Sequence, residues 1–150
     1  MDLILWRHAE AEAGSPDLER RLTPKGQKHA ARMAEWLLQR LPSSFVVLAS
    51  PARRAQETAH ALGRSLRTVA ALAPGARVRD ILEAAEWPDR RAPVVVVGHQ
   101  PDLGCAAAFL VSGTEAAWSV KKGGLWWITN RVRDDEAQVV VRAVAAPDLL

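Results

Sequence analysis

The chain has 150 residues, 49% of them hydrophobic, with 20 basic and 17 acidic side chains and a formal net charge of +3. That length suits one domain, residues 1–150, with a real core. The mild, scattered positive charge makes no nucleic-acid footprint, and no apolar run approaches the roughly 18 residues of a membrane span. The single cysteine, Cys105, excludes an internal disulfide and a cysteine-based metal cluster. Its apolar neighbours, Ala106-Ala107-Ala108-Phe109, make it a small buried helix residue rather than a reactive thiol. Asp2, with no basic region ahead of the short apolar stretch, speaks against a secretory signal, so the expected address is the cytoplasm. A monomer is expected.

The elements follow in chain order. Residues 2–7 read as a buried strand, and Gly14 to Arg21 as a loop rich in charge and turn formers. Thr23-Pro24 opens a helix, since threonine can cap free N–H groups and proline suits the first helical position. That helix is predicted to about Arg40, with Ala30, Met33, Ala34, Leu37 and Leu41 at helical spacing. Phe45 to Leu48 is the second strand, and Pro51 opens a helix predicted to Leu66. Pro74-Gly75 breaks the chain before a helix from Val78 to Glu86. Pro88 to Pro93 turns into the fully buried strand Val94–Val97, and Pro101 starts a helix to Val111. Leu125–Asn130 and Val139–Val144 are strands joined through a hairpin-like turn at Asp134-Asp135. This alternation demands an α/β fold: three layers, α/β/α, around a mostly parallel mixed sheet with an antiparallel element at the end. Six tryptophans and no tyrosine are an unusual bias, placed in core and sheet-face positions.

The strand ends carry the chemistry. Leu3-Ile4-Leu5-Trp6 ends in Arg7-His8, and Val94-Val95-Val96-Val97 ends in Gly98-His99. Phe45-Val46-Val47-Leu48 ends in Ala49-Ser50-Pro51, with Arg54 just beyond. In open α/β sheets ligands bind at the carboxyl edge of the strands, so three strands converge two histidines and two arginines on one such edge.

These residues carry a resemblance. Leu5-Trp6-Arg7-His8-Ala9-Glu10-Ala11 resembles the first signature of the histidine phosphatase superfamily, whose fold is phosphoglycerate mutase-like. Ser50-Pro51-Ala52-Arg53-Arg54-Ala55-Gln56-Glu57-Thr58 resembles its second motif, and Gly98-His99-Gln100-Pro101 its third. Arg20-Arg21-Leu22-Thr23-Pro24-Lys25-Gly26 is similar to the arginine-x-leucine-threonine-x-x-glycine segment that follows the first. All occur in family order, and the short length is similar to the SixA branch, the bacterial phosphohistidine phosphatases.

The resemblance implies that His8 attacks phosphorus and becomes transiently phosphorylated, without metal or cofactor, and that His99 donates to the phosphoryl oxygens. Arg7, Arg20 and Arg54 are the implied phosphate clamps, suited to it because a planar guanidinium binds two phosphate oxygens at once; adjacent Arg21 is the alternative to Arg20, and the family spacing to Leu22-Thr23 favours Arg20. A nucleophilic imidazole must be neutral. Nearby arginines should lower the pKa of His8, and a backbone carbonyl of the loop should fix its other ring nitrogen. Arg53, His29 and His60 are expected to face solvent, and Glu10 and Glu12 to be loop carboxylates, Glu10 with the option of orienting an arginine.

Two departures matter. Ala9 stands where glycine is commonest, which a small side chain should tolerate. Many ester-cleaving members use a glutamate between the second and third motifs, and Val69–Pro74 offers no carboxylate there; Glu83 and Glu86 lie later, in the predicted helix. Phosphohistidine has a better leaving group than an alkyl ester and needs the acid less. The expected substrate is therefore phosphohistidine on a protein, such as a histidine-containing phosphotransfer domain, reached by an open site in a chain too short for a lid. The rivals are a phosphatase of a small phosphorylated metabolite and a non-catalytic phosphate-binding module.

Overall fold

The computed structural model describes residues 1–150. Six strands form one sheet: β1 (Asp2–Arg7), β2 (Val46–Ala49), β3 (Arg67–Thr68), β4 (Val94–Gly98), β5 (Leu125–Arg133) and β6 (Glu136–Ala145). Four helices accompany them: α1 (Pro24–Leu38), α2 (Arg53–His60), α3 (Val78–Ala85) and α4 (Asp102–Ser112). Across the sheet the order is β3-β2-β4-β1-β5-β6. The first four are parallel to their neighbours, and β5 and β6 are antiparallel. No helix is long and apolar enough to cross a membrane.

Period-two alternation divides each central strand between two cores. Ile4 and Trp6 of β1 and Val95 and Val97 of β4 join Met33, Leu37, Ala55 and Ala59, so α1 and α2 cover one face. Leu3, Leu5, Val94 and Val96 join Ile81, Ala85, Leu103 and Ala107, so α3 and α4 cover the other. Three layers result, as the sequence predicts. Cys105 packs half-buried against the second core.

The differences from the predicted elements have local causes. The second helix stops at His60 rather than Leu66, because Gly63 takes a left-handed conformation (φ +61°) and donates back to the His60 carbonyl at 3.0 Å, a glycine helix stop. β3 leaves no signal in the sequence, because two exposed residues show no period. The charged loop contains a short 3₁₀ turn, Asp17–Glu19. The last two strands run on to a tight hairpin in which Asp134 (φ +52°) and Asp135 (φ +62°) both sit in the left-handed region, as a type I′ turn requires.

Register sets where the strands end. Trp6 and Ala49 both align with Val97, and Arg7 aligns with Gly98. The ladder runs one residue further: the His8 N–H donates to the Gly98 carbonyl and the Ser50 N–H to that of Val97, each at 3.0 Å. His8, Ser50 and His99 therefore leave three adjacent parallel strands at the same level.

Candidate active site

All five site residues expected from the sequence line one cavity of about 210 Å³: Arg7, His8, Arg20, Arg54 and His99, together with Ala11, Pro74, Gln100 and Lys122. No carboxylate is among them. A larger groove of about 820 Å³ lies between α3 and α4, where Glu83 and Glu86 are found, and none of the five reaches it.

His8 is buried, 7% exposed. Its Nδ1 lies 2.7 Å from the Ala9 carbonyl, so Nδ1 carries the proton and Nε2 keeps its lone pair. Nε2 in turn accepts from Arg54 Nε at 3.3 Å. Burial, above all, pushes its pKa down to about 4; the Ala9 hydrogen bond pulls the other way, and the charges of Arg54, Arg7 and Arg20 add to the lowering. The arginines act as the sequence suggests, but desolvation is the larger cause.

His99 lies beside it, the ring centroids 5.3 Å apart. Burial, then the proximity of His8 and Arg54, lowers its pKa to about 3. Its Nε2 is 2.7 Å from the hydroxyl of fully buried Ser50, which also accepts from the Ala52 N–H at 3.1 Å. Nδ1 faces Arg54 Nη2 at 3.4 Å. A serine hydroxyl can give or take a proton, so Ser50 can satisfy either tautomer of His99.

The second motif explains itself on α2. Arg54, Ala55, Thr58 and Ala59 form its buried face. Thr58 Oγ1 donates to the Arg54 carbonyl at 2.7 Å and accepts from the Ala9 N–H at 3.0 Å, fastening the helix to the loop after β1. Arg53, a hundred degrees round the helix, is exposed and pairs with Glu57. Arg7 donates from Nη1 to the Val120 carbonyl at 2.8 Å. Its Nε is buried without a partner, a donor left over on a cavity-lining residue, and burial lowers its pKa.

Around this centre two glycines permit close approach. A Cβ on Gly26 would stand 2.1 Å from the Glu10 carbonyl, and Gly123 (φ +73°) turns the chain at Lys121–Gly124. Glu10 orients no arginine: its carboxylate accepts from the Thr23 hydroxyl at 2.8 Å, a bond that holds the carboxyl below its ordinary range. Thr23 caps α1 by accepting from the Gly26 N–H at 2.9 Å. Glu12 pairs with Arg21, so Arg20 is the arginine that turns to the cavity. His60 is exposed, but His29 is only partly so.

This constellation can bind a compact anion between two neutral imidazoles and three guanidinium groups. Comparison with known proteins agrees. Residues 3–77 match the model of the histidine phosphatase superfamily, branch 1. The chain belongs to the histidine phosphatase superfamily. A Mycobacterium tuberculosis protein of uncharacterised activity is 35% identical over 120 residues, 74% of each chain. The structure of the protein histidine phosphatase SixA complexed with tungstate is 25% identical, with a TM-score of 0.83 over 99% of each chain. A SixA structure from Nakamurella multipartitia is 27% identical, with a TM-score of 0.80 over 97% of this chain and 95% of that one. The chain is thus a phosphatase of the SixA type within the superfamily. Mycobacterial glucosyl-3-phosphoglycerate phosphatase, 20% identical with a TM-score of 0.71, shares the fold over 97% of this chain and 98% of its own.

Three residues around the superfamily site have no role in the sequence reading. Ser50 and Thr58 stand there as motif letters, and their partners lie across the fold. Asp17 is absent from it altogether. Its position three residues before Arg20 is the one signal available, since that spacing lets two side chains meet on a 3₁₀ turn.

Proposed function

We propose that this phosphatase removes the phosphoryl group from phosphohistidine on a protein, without metal. His8 Nε2 attacks phosphorus, forming an N–P bond as the bond to the leaving imidazole nitrogen breaks. Water then attacks the phosphorus of phospho-His8, releasing phosphate and restoring the free imidazole. Throughout, Nδ1–H stays on the Ala9 carbonyl and keeps the reacting nitrogen aimed at the cavity. Arg7, Arg20 and Arg54 neutralise the phosphoryl oxygens, and His99 donates to them as charge develops.

The cavity carries this reading. At about 210 Å³ it is smaller than the roughly 300–1,000 Å³ of sites that enclose a small molecule. It has room for a phosphoryl group, and the rest of the substrate lies outside, as a protein surface would. Its lining has no carboxylate to protonate an alkoxide, which favours a leaving group that departs readily. Lys122, a cavity-lining cation with no salt bridge in the fold, favours a second reading, a small metabolite with another anionic group.

An assay of the purified protein decides between them: a phosphorylated histidine-containing domain beside aryl and alkyl phosphates. Phosphohistidine and aryl phosphates should have much the higher kcat/KM, falling steeply as the leaving-group pKa rises. A flat dependence would put the metabolite reading first.

A further inference from the structure

The Arg54 guanidinium has two working edges. The inner edge, Nε and Nη2, faces His8 Nε2 at 3.3 Å and His99 Nδ1 at 3.4 Å. The outer edge belongs to Asp17: Nη1 donates to its backbone carbonyl at 2.9 Å and Nη2 to its Oδ2 at 3.2 Å. The remaining carboxylate oxygen, Oδ1, takes Arg20, with Nε at 3.1 Å and Nη2 at 3.0 Å. One aspartate thus bridges two of the three cavity arginines.

Stability is a weak explanation for this bridge. The Arg54 side chain is 5% exposed but that of Asp17 58%, so solvent screens the pair from the carboxylate's side and its contribution to the fold is small. Nor does Asp17 supply the missing acid. Partial burial pulls its pKa up, but the hydrogen bonds and charges of Arg20 and Arg54 outweigh that and hold it below the ordinary range. Both oxygens are engaged by cations, with no proton to give. What the bridge does is geometric. A guanidinium is planar, so fixing one edge fixes the aim of the other.

We propose that Asp17 is a positioning residue that grips the outer edge of Arg54, so that the inner edge presents two parallel N–H donors to a phosphoryl group between His8 and His99. Through Oδ1 it sets Arg20 in the same frame. This rests on Arg54 being a phosphoryl clamp. It makes the loop after β1 part of the machinery: the 3₁₀ turn at Asp17–Glu19 brings the carboxylate back over the sheet edge to meet an arginine from α2.

The test compares Asp17→Ala, Asp17→Asn, Arg54→Lys and the double variant Asp17→Ala/Arg54→Lys, with p-nitrophenyl phosphate as substrate and inorganic phosphate as inhibitor. Asp17→Ala should lower kcat by about 10–100-fold, the scale of a misplaced catalytic group, with a smaller change in KM. Asp17→Asn keeps a side-chain acceptor and should recover most of that loss. With Arg54 already replaced by lysine, removing Asp17 should cost less than about threefold, because residues that act as a unit are not additive. Three results would overturn the proposal: Asp17→Ala with kcat near that of the parent, the full loss repeated in the Arg54→Lys background, or tighter phosphate inhibition with raised kcat, which would make Asp17 a competitor for the clamp. If Arg54→Lys alone keeps full activity, the clamp reading itself fails. Unchanged thermal unfolding of Asp17→Asn separates each of these from misfolding.

Discussion

The parallel centre of the sheet and the β5–β6 hairpin follow opposite plans. Every residue of β4 is buried, and Leu3 to Trp6 of β1 are inaccessible to solvent. The far half of the hairpin is open on both faces, with Val132 72% exposed and Arg131 and Arg133 on the opposite face exposed too. A strand covered on both faces cannot slip by one residue without exchanging its two cores. The groups that follow such strands are therefore held at a fixed height, and the two histidines of the cavity come from there. The hairpin contributes no side chain to the cavity, only the turn that precedes it. Two-sided burial places chemistry; one-sided or absent burial leaves the sequence free.

The severest break in that comparison is at the end of β1. His8→Ala should lower kcat by about 10³-fold or more, the scale of removing a covalent nucleophile. It should also trap no acid-labile, base-stable phosphoenzyme. Quench-flow labelling checks this, and an alanine variant that labels and turns over normally removes His8 from the role.

Acid probes the same burial more gently. With the pKa of His8 near 4, the imidazole stays neutral far below the usual histidine range. The kcat/KM profile, which reports the free enzyme, should be flat on its acid side to about pH 4–5, then fall about tenfold per pH unit. A limb near 6.5 would mean that solvent reaches the ring. Stability must move too, and its sign follows from proton counting. Unfolded, both histidines titrate near 6.5; folded, near 4 and 3. Between these values the unfolded chain binds more protons, so stability is full above pH 6.5 and declines as pH falls through the window. Chemical denaturation at several pH values reads the slope directly.

The smallest effect belongs to the hairpin. Val132→Lys should change stability by no more than about 0.5 kcal/mol and leave kcat unaltered. A measurable loss of activity would show that the outer hairpin reaches the site after all.

Much of this was legible in the chain. Unbroken apolar runs such as Val94–Val97 announce strands buried on both faces, and a histidine or arginine directly after one marks its carboxyl end. Ser50 was visible as a residue but not as a partner of His99, because that contact depends on the register of β2 against β4, fixed by packing far away in sequence. Asp17 was invisible for a different reason. An aspartate in a charged loop looks like any turn former, and nothing local shows that an arginine 37 residues on will meet it. The helical context of His29 points it to solvent, yet α1 leaves it partly covered. Most tryptophans fill the core or sheet faces as expected, but Trp6 also donates its indole N–H to the Gly123 carbonyl at 2.8 Å.

That indole bond has company. The Gly123 N–H donates to the His8 carbonyl at 3.0 Å, the Arg7 N–H to that of Gly124 at 2.9 Å, and the Arg7 side chain to that of Val120. Four crossings stitch three residues of one segment to three of another. Their amide protons cannot exchange with solvent one at a time, since any opening that frees the turn also unlaces the end of β1. In deuterium the amides of Arg7, Gly123 and Gly124 should therefore exchange as a single slow group, while those around Asp134 are replaced at once. Anything that loosens the turn is then felt at His8 as a loss of protection before it is felt as a loss of fold.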